Sequence, residues 1–414
     1  MNDDFMLGSA TAKFAIPPDA ASATVTGVAG AEGTLHYAIV VSNACSTAFW
    51  SSTSVSRDAT LANNIRYTWK RGVAAGVWED AANWDAPEGR FAYPMAASEA
   101  FFEAATTARV AIATSLAEVK ALDCATPDLD IVFHGGRERR LKVSTSFLAK
   151  ATGGTICVSN LNFEVSRGDI LLNAGRLLRI CGGAHVGLPG GNLGVNGGPG
   201  RHFEISGGSD FECYGKFCVG GAGSTAVIDD ARVSMLNAQG AFFLASAAGG
   251  GEIIVKGRNA RLEATSYFRN DLGNSVGGTL TFVVPEGGYA RTPVCHIPRR
   301  DNGQYVNTYT FAGDVPAQLS RLSPITIRID PSSPGLSASR TLRQPLVSWK
   351  GGLSLEKMAL EPVAVRPRIN RFAYAAEFDD SDGPYGWETT WTDGEAPLTL
   401  GFIHEQAATV IMVR

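Results

Sequence analysis

Residues 203–221, FEISGGSDFECYGKFCVGG, carry the pattern on which the fold of this chain turns. Apolar and polar residues alternate in three short runs, Phe203-x-Ile205, Phe211-x-Cys213 and Phe217-x-Val219, and Gly207-Gly208 marks a corner after the first. A period of two is what a strand with one buried face requires. The same stretch holds Glu204, Asp210, Glu212, Lys216 and Cys218, which taken alone would suggest a metal or phosphate site. The neighbouring sequence decides between a site and one turn of a repeat.

The first run recurs along the chain. Segments LDIVF (129–133), GTICV (154–158), LRICGG (178–183), FEISGG (203–208), AVIDDA (226–231), IIVKG (253–257) and FVVPEGG (282–288) align on Ile131, Ile156, Ile180, Ile205, Ile228, Val255 and Val284. Neighbouring anchors differ by 25, 24, 25, 23, 27 and 29 residues. A sandwich has no reason to keep such a period. A solenoid does, because each coil buries the same positions against the next. A second run gives Val186-x-Leu188, Phe211-x-Cys213, Val233-x-Met235 and Leu262-x-Ala264. A third gives Ile170-x-Leu172, Leu193-x-Val195, Phe217-x-Val219 and Phe242-x-Leu244. Three short strands per coil of roughly 25 residues predict an all-β fold. We expect a single-stranded right-handed parallel β-helix over 98–330, with coils about 4.8 Å apart.

Composition agrees. Of 414 residues 47 are glycine, hydrophobic residues make up 45% and charged residues 18%, so a core is possible and turns are many. The formal net charge of −4 gives no electrostatic case for nucleic acid or an anionic membrane. No apolar run reaches membrane-spanning length, so no membrane insertion is expected. The start, MNDDFMLGSATAKF, lacks the basic-then-apolar layout of a signal peptide. Seven cysteines at scattered spacings define no disulfide framework.

Outside the repeat the chain divides further. In residues 1–57, an ATVTGV run, an alternation through Leu35, Tyr37, Ile39 and Val41, and a Ser/Thr-rich run resemble the last three strands of a fibronectin type III-like domain. That resemblance implies a chain beginning inside a domain. Residues 58–97 read as a linker and N-terminal cap. Their YTWKRGVAAGVWEDAANWD (67–85) resembles the entry segment of secreted bacterial β-helix proteins with autotransporter-associated β-strand repeats. The tail is similar to the ends of large secreted β-helix proteins. These resemblances imply a bacterial, secreted or cell-surface protein of passenger type. Residues 98–122 fit either a first coil or a capping helix. After DPSSPGLSASRTLRQP (330–345), residues 331–414 are expected to form a β-rich C-terminal cap or a small β domain.

Candidate chemistry is sparse. Asp229-Asp230, with Lys256 and Arg258 one coil on, is the best catalytic set, for a polysaccharide lyase or glycoside hydrolase. The alternative is that the Asp pair replaces Gly-Gly at a turn, where Asp tolerates a left-handed backbone. The motif order of polygalacturonase-type hydrolases is not met, since HGG at 134–136 precedes the Asp pair. Trp69, Trp78 and Trp84 are either plugs of the open core end or stacking platforms of a carbohydrate-binding module. Cys213 and Cys218 should face opposite ways and cannot share a metal. Cys157 and Cys181 follow anchors on adjacent coils, compatible with a thiol ladder or a disulfide. The glycines of GLPGGNLGVNGGPG (187–200) lack a phosphate loop's Lys-Ser/Thr ending. No metal or cofactor is expected. The reading favoured by the sequence is a non-catalytic structural or adhesive protein, whose partner is an extracellular polysaccharide or another surface protein.

Overall fold

The computed structural model describes residues 65–297 with short breaks, a strand pair between Thr34 and Ser56, and separate segments between 325 and 405. Within these residues the chain is a β-solenoid of stacked parallel coils. Each complete coil contributes a strand to three parallel ladders, here sheets A, B and C. In the coil of residues 202–218, these are His202–Ser206, Asp210–Cys213 and Lys216–Cys218.

Alternation fixes which side chains enter the core. In His202–Ser206, Phe203 and Ile205 are buried and their neighbours are not. Phe203 lies between Leu178 and Ala226, and Ile205 between Ile180 and Ile228. Sheet A runs through Phe133, Val158, Ile180, Ile205, Ile228, Val255 and Phe282, with coils of 25, 22, 25, 23, 27 and 27 residues. The anchors read from sequence slip by two residues at both ends. Ile156 pairs with Leu178, not Ile180, and Val255 pairs with Phe282, not Val284. Ile156 and Val158 are both buried, as are Phe282 and Val284, so either register satisfies the core.

The corner between sheets A and B needs a left-handed backbone. Gly207 and Gly208 adopt φ +63° and +72°, and one coil later Asp230 stands at φ 49°. The amides of Gly207 and Gly208 donate to the carbonyls of Asp229 and Asp230, at 3.2 and 2.9 Å. Corner therefore stacks on corner, as strand does on strand.

The interior is filled by aromatic rings touching from coil to coil. Phe102 meets Phe133 edge-on at 5.6 Å, and Phe163 lies 6.2 Å from Phe133 and 5.7 Å from Phe147. Farther along, Phe217 sits 5.1 Å from Phe203 and 5.7 Å from Phe211. Burying such rings contributes more than any surface contact on the rod.

The stack reaches beyond the sequence-read limits. Ile65–Trp69 pairs in parallel with Ser98–Phe102, and Ala75–Val77 with Thr107–Ala111, so the tryptophan segment is itself a coil. Residues 98–122 hold strands, and the capping-helix alternative falls. Parallel pairing also continues past 330, from Ile325–Ile329 to Met358–Glu361. There Leu398–Glu405 runs antiparallel to both Leu342–Trp349 and Arg368–Tyr374, which ends the parallel ladder in sheet B. In residues 1–57 the described part is one antiparallel hairpin, Thr34–Ser42 with Thr47–Ser56. The rest of the fibronectin-like segment lies outside the described residues.

Candidate functional site

The catalytic set drawn from sequence does not converge on a cleft. Asp229 and Lys256 are register neighbours on sheet A, joined at 3.1 Å between Oδ2 and Nζ. Asp230 occupies the left-handed corner, and its carboxylate accepts the Asn259 amide at 2.8 Å. Arg258 is exposed in the next corner, where its carbonyl accepts the Ala290 amide at 2.7 Å. Asp229 and Lys256 thus form a cross-coil ion pair, while Asp230 and Arg258 make the corner contacts that the turn alternative describes.

The tryptophans are corrected as binding residues. Trp69, Trp78 and Trp84 are 0%, 0% and 2% exposed, so no sugar ring reaches their faces. Trp84 packs edge-on against both other indoles at 5.0 Å, and its Nε1–H donates to the Trp78 carbonyl at 2.7 Å. The Trp69 Nε1–H donates to the Val73 carbonyl at 2.8 Å. Buried indoles with satisfied N–H groups are core.

Cys213 points into the core and Cys218 to the other side of its strand, as the alternation requires. Burial pushes their thiols up, to about 12 and about 11. Among the described residues, no group of three His, Cys, Asp or Glu side chains is placed to hold a metal ion. Among the same residues, no helix is long and apolar enough to cross a membrane.

The geometry draws attention to sheet B instead. Its outward column runs Glu118, Lys142, Glu164, Gly187, Glu212, Ser234 and Glu263. Ion pairs lace this face: Lys142–Glu118 at 2.8 Å, Arg140–Glu164 at 3.0 Å and Arg232–Glu263 at 2.8 Å. At Gly187 the column has no side chain, and a Cβ there would meet only His185 Nε2, at 3.8 Å. The gap opens a shallow cleft of ≈ 150 Å³, with Glu164 and Glu212 on either side. Asn162 and His185 form the adjacent column, and Tyr214 and Pro189 stand at the rim. Tyr214 is 44% exposed, one of few large apolar side chains so placed among the described residues.

The two carboxylates differ in restraint. Glu164 accepts from Ser166 Oγ at 2.5 Å besides pairing with Arg140. Glu212 has His185 Nε2 at 4.0 Å, a looser arrangement. Two ladder steps separate their backbones, about 9.6 Å at the usual strand spacing. The cleft can thus offer one clamped and one looser carboxylate as acceptors, a guanidinium and amide as donors, and an aromatic face.

Compared with protein-family models, curated proteins and solved structures, the chain matches none. The site therefore stands on its own geometry.

Sequence reasoning missed this cleft because it lies in outward positions, which no core periodicity constrains. The available signal was Gly187 itself, standing where Glu164 and Glu212 stand one coil either side. It also missed two buried arginines, Arg176 and Arg201, at successive corners between sheets C and A. Arg176 Nη2 donates to the Thr126 carbonyl at 2.6 Å, and Arg201 Nη2 to the Gly220 carbonyl. Their guanidiniums tie corner carbonyls together inside the stack. The doublet Gly-Arg at 175–176 and 200–201, 25 residues apart, was the sign of it.

Proposed function

We propose that this chain is a non-catalytic, secreted or cell-surface β-solenoid with a structural and adhesive role, holding a polysaccharide strand along sheet B. The observation that carries the reading is the Gly187 gap between Glu164 and Glu212, with Tyr214 exposed at its edge. Sugars are recognised by a few fixed polar groups for the hydroxyls and an aromatic face for the C–H side of the ring. Arg140, Asn162, Glu164, Glu212 and Tyr214 supply that combination on a rigid surface. The clamped state of Glu164 favours a binding role over proton transfer. Bacterial origin and the secreted location rest on the sequence resemblances, and the solenoid suits them by presenting a long, regular outer face.

A second reading keeps the same cleft as an inverting glycoside hydrolase. Its support is that two carboxylates, Glu164 and Glu212, flank one cleft, as the acid and base of such enzymes do. One experiment separates the two. The protein is passed over immobilised neutral and anionic polysaccharides, and the same polymers are assayed for new reducing ends and for unsaturated products. We expect retention on at least one polymer, lost in Gly187→Leu, and no product. New reducing ends would transfer the site to the hydrolase reading. Retention unchanged in Gly187→Leu, or none at all, would end the adhesive reading of this cleft.

A further inference from the structure

We propose that Cys157 and Cys181 are a redox-reactive dithiol that closes to a disulfide across two adjacent coils. Their Sγ atoms lie 3.6 Å apart, on strands Thr155–Val165 and Leu177–Cys181 of sheet A. Cys157 is in register with Arg179, and Cys181 with Ser159, so the thiols meet diagonally across the ladder. Both alternate with core residues: Ile156 and Val158 flank Cys157, and Ile180 precedes Cys181. The pair is thus on the solvent side of the sheet, unlike the core-facing thiols of Cys124, Cys213 and Cys295. Cys181 is the more accessible of the two.

The chemistry needs a small-molecule disulfide as oxidant, such as oxidised glutathione. The Cys181 thiolate attacks one sulfur of that disulfide, and the other leaves as a thiolate, giving a mixed disulfide on Cys181. Cys157 then attacks Cys181 Sγ, forming the Cys157–Cys181 bond and expelling the second small thiolate. The two cysteine protons end on the two released thiols, and the oxidant's disulfide takes up the two electrons. This order follows from access, since Cys181 is the more exposed thiol and Cys157 is buried. Burial first, and the neighbouring Cys181 next, push the Cys157 thiol up to about 12, which disfavours it as the first attacker. The 3.6 Å contact with Cys181 leaves it placed for the intramolecular step. The Arg179 guanidinium, held by Glu204 at 2.9 Å, is the nearby cation that favours its thiolate.

Diagonal partners in a sheet have Cα atoms about 7–8 Å apart, wider than most disulfides span. Closure therefore draws the two strands together, and the bond should be open to reduction by small thiols. A staple of this kind would lock neighbouring coils in an oxidising setting and release them in a reducing one. It does not depend on the sugar cleft, which lies on another sheet.

The test is tryptic mapping of the folded full chain after incubation with oxidised glutathione. Cleavage yields residues 151–167 and 180–201, each with a single cysteine. We expect these two peptides joined, and separated again after excess reduced glutathione is added without denaturant. Cys157→Ser should stop at Cys181 carrying glutathione, which reports the first step alone. A wild-type chain that accumulates glutathione on Cys181 without resolving it would overturn the proposal. So would unreacted thiols at both positions, or either one bridged to a different cysteine.

Discussion

Replacing Phe203 with alanine, and separately replacing Glu204, tests the inward and outward assignment at one corner of one coil. Phe203 is 1% exposed, packs edge-on to Phe217 at 5.1 Å, and lies in register between Leu178 and Ala226. Removing a buried ring in a core that cannot collapse costs about 3–5 kcal/mol. Adjacent coils share a continuous interior here, so little relaxation is available. Glu204 pairs with Arg179 at 2.9 Å, with side chains 34% and 42% exposed. Screening by solvent reduces such a pair to roughly 0.2–1 kcal/mol. Neighbouring residues should therefore differ by about 2 kcal/mol or more. Solenoids unfold by coils, so amide hydrogen exchange is a better assay than a single melting curve. In Phe203→Ala the strands Leu177–Cys181, His202–Ser206 and Thr225–Asp229 should exchange at least about 100-fold faster, at 1.4 kcal/mol per tenfold. In Glu204→Ala they should change by less than about fivefold. Equal effects, or a larger one at Glu204, would refute the assignment.

Two further perturbations probe the corner and the buried thiols. Asp230→Ala places a side chain at φ 49° without its hydrogen bond to Asn259, and should cost roughly 2 kcal/mol by denaturant titration. Asp230→Gly, which accepts that backbone, should cost less, and the reverse order would contradict the corner's role. Stability should also fall in alkali. Burial raises the Cys157, Cys213 and Cys218 thiols above their ordinary value of 9.0, to about 12, 12 and 11. Their contribution is complete below pH 9 and lost as pH rises through the raised values. Each thiol protonated only in the fold subtracts about 1.4 kcal/mol per pH unit. Denaturant midpoints measured from pH 8 to 11 should drop, with a shallower fall in Cys213→Ala. A flat profile would contradict the burial of these groups.

The solenoid was legible because its period is enforced by the core. Ile180, Ile205 and Ile228 stack since a coil that shifted them by one residue would turn them to solvent. A shift of two keeps the same face inward, and there the sequence is silent. That is why Ile156 and Val158, or Phe282 and Val284, were interchangeable on paper and are distinct in the ladder. Asp230 was readable as a turn residue from its place after an anchor. Gly187 was a weaker sign, visible only once the register set it between Glu164 and Glu212, because outward positions follow no rule of burial. Arg176 and Arg201 defeated the pattern in another way, since charge implies the surface and their corners bury them. The tryptophan segment was recognisable as an end of the core, yet only strand pairing reveals it as a full coil.

The stacking itself is tested most directly by distances along one outward column. Arg109, Val132, Cys157, Arg179, Glu204, Val227 and Ile254 succeed one another in register on sheet A. Spin labels at Arg109 and Glu204 stand four steps apart, and labels at Arg109 and Ile254 six. Pulsed electron–electron resonance should give separations near 19 and 29 Å, at about 4.8 Å per step and broadened by the label arms. Separations that fail to grow with the number of coils, or a shorter distance for the sixth coil than for the fourth, would contradict the solenoid.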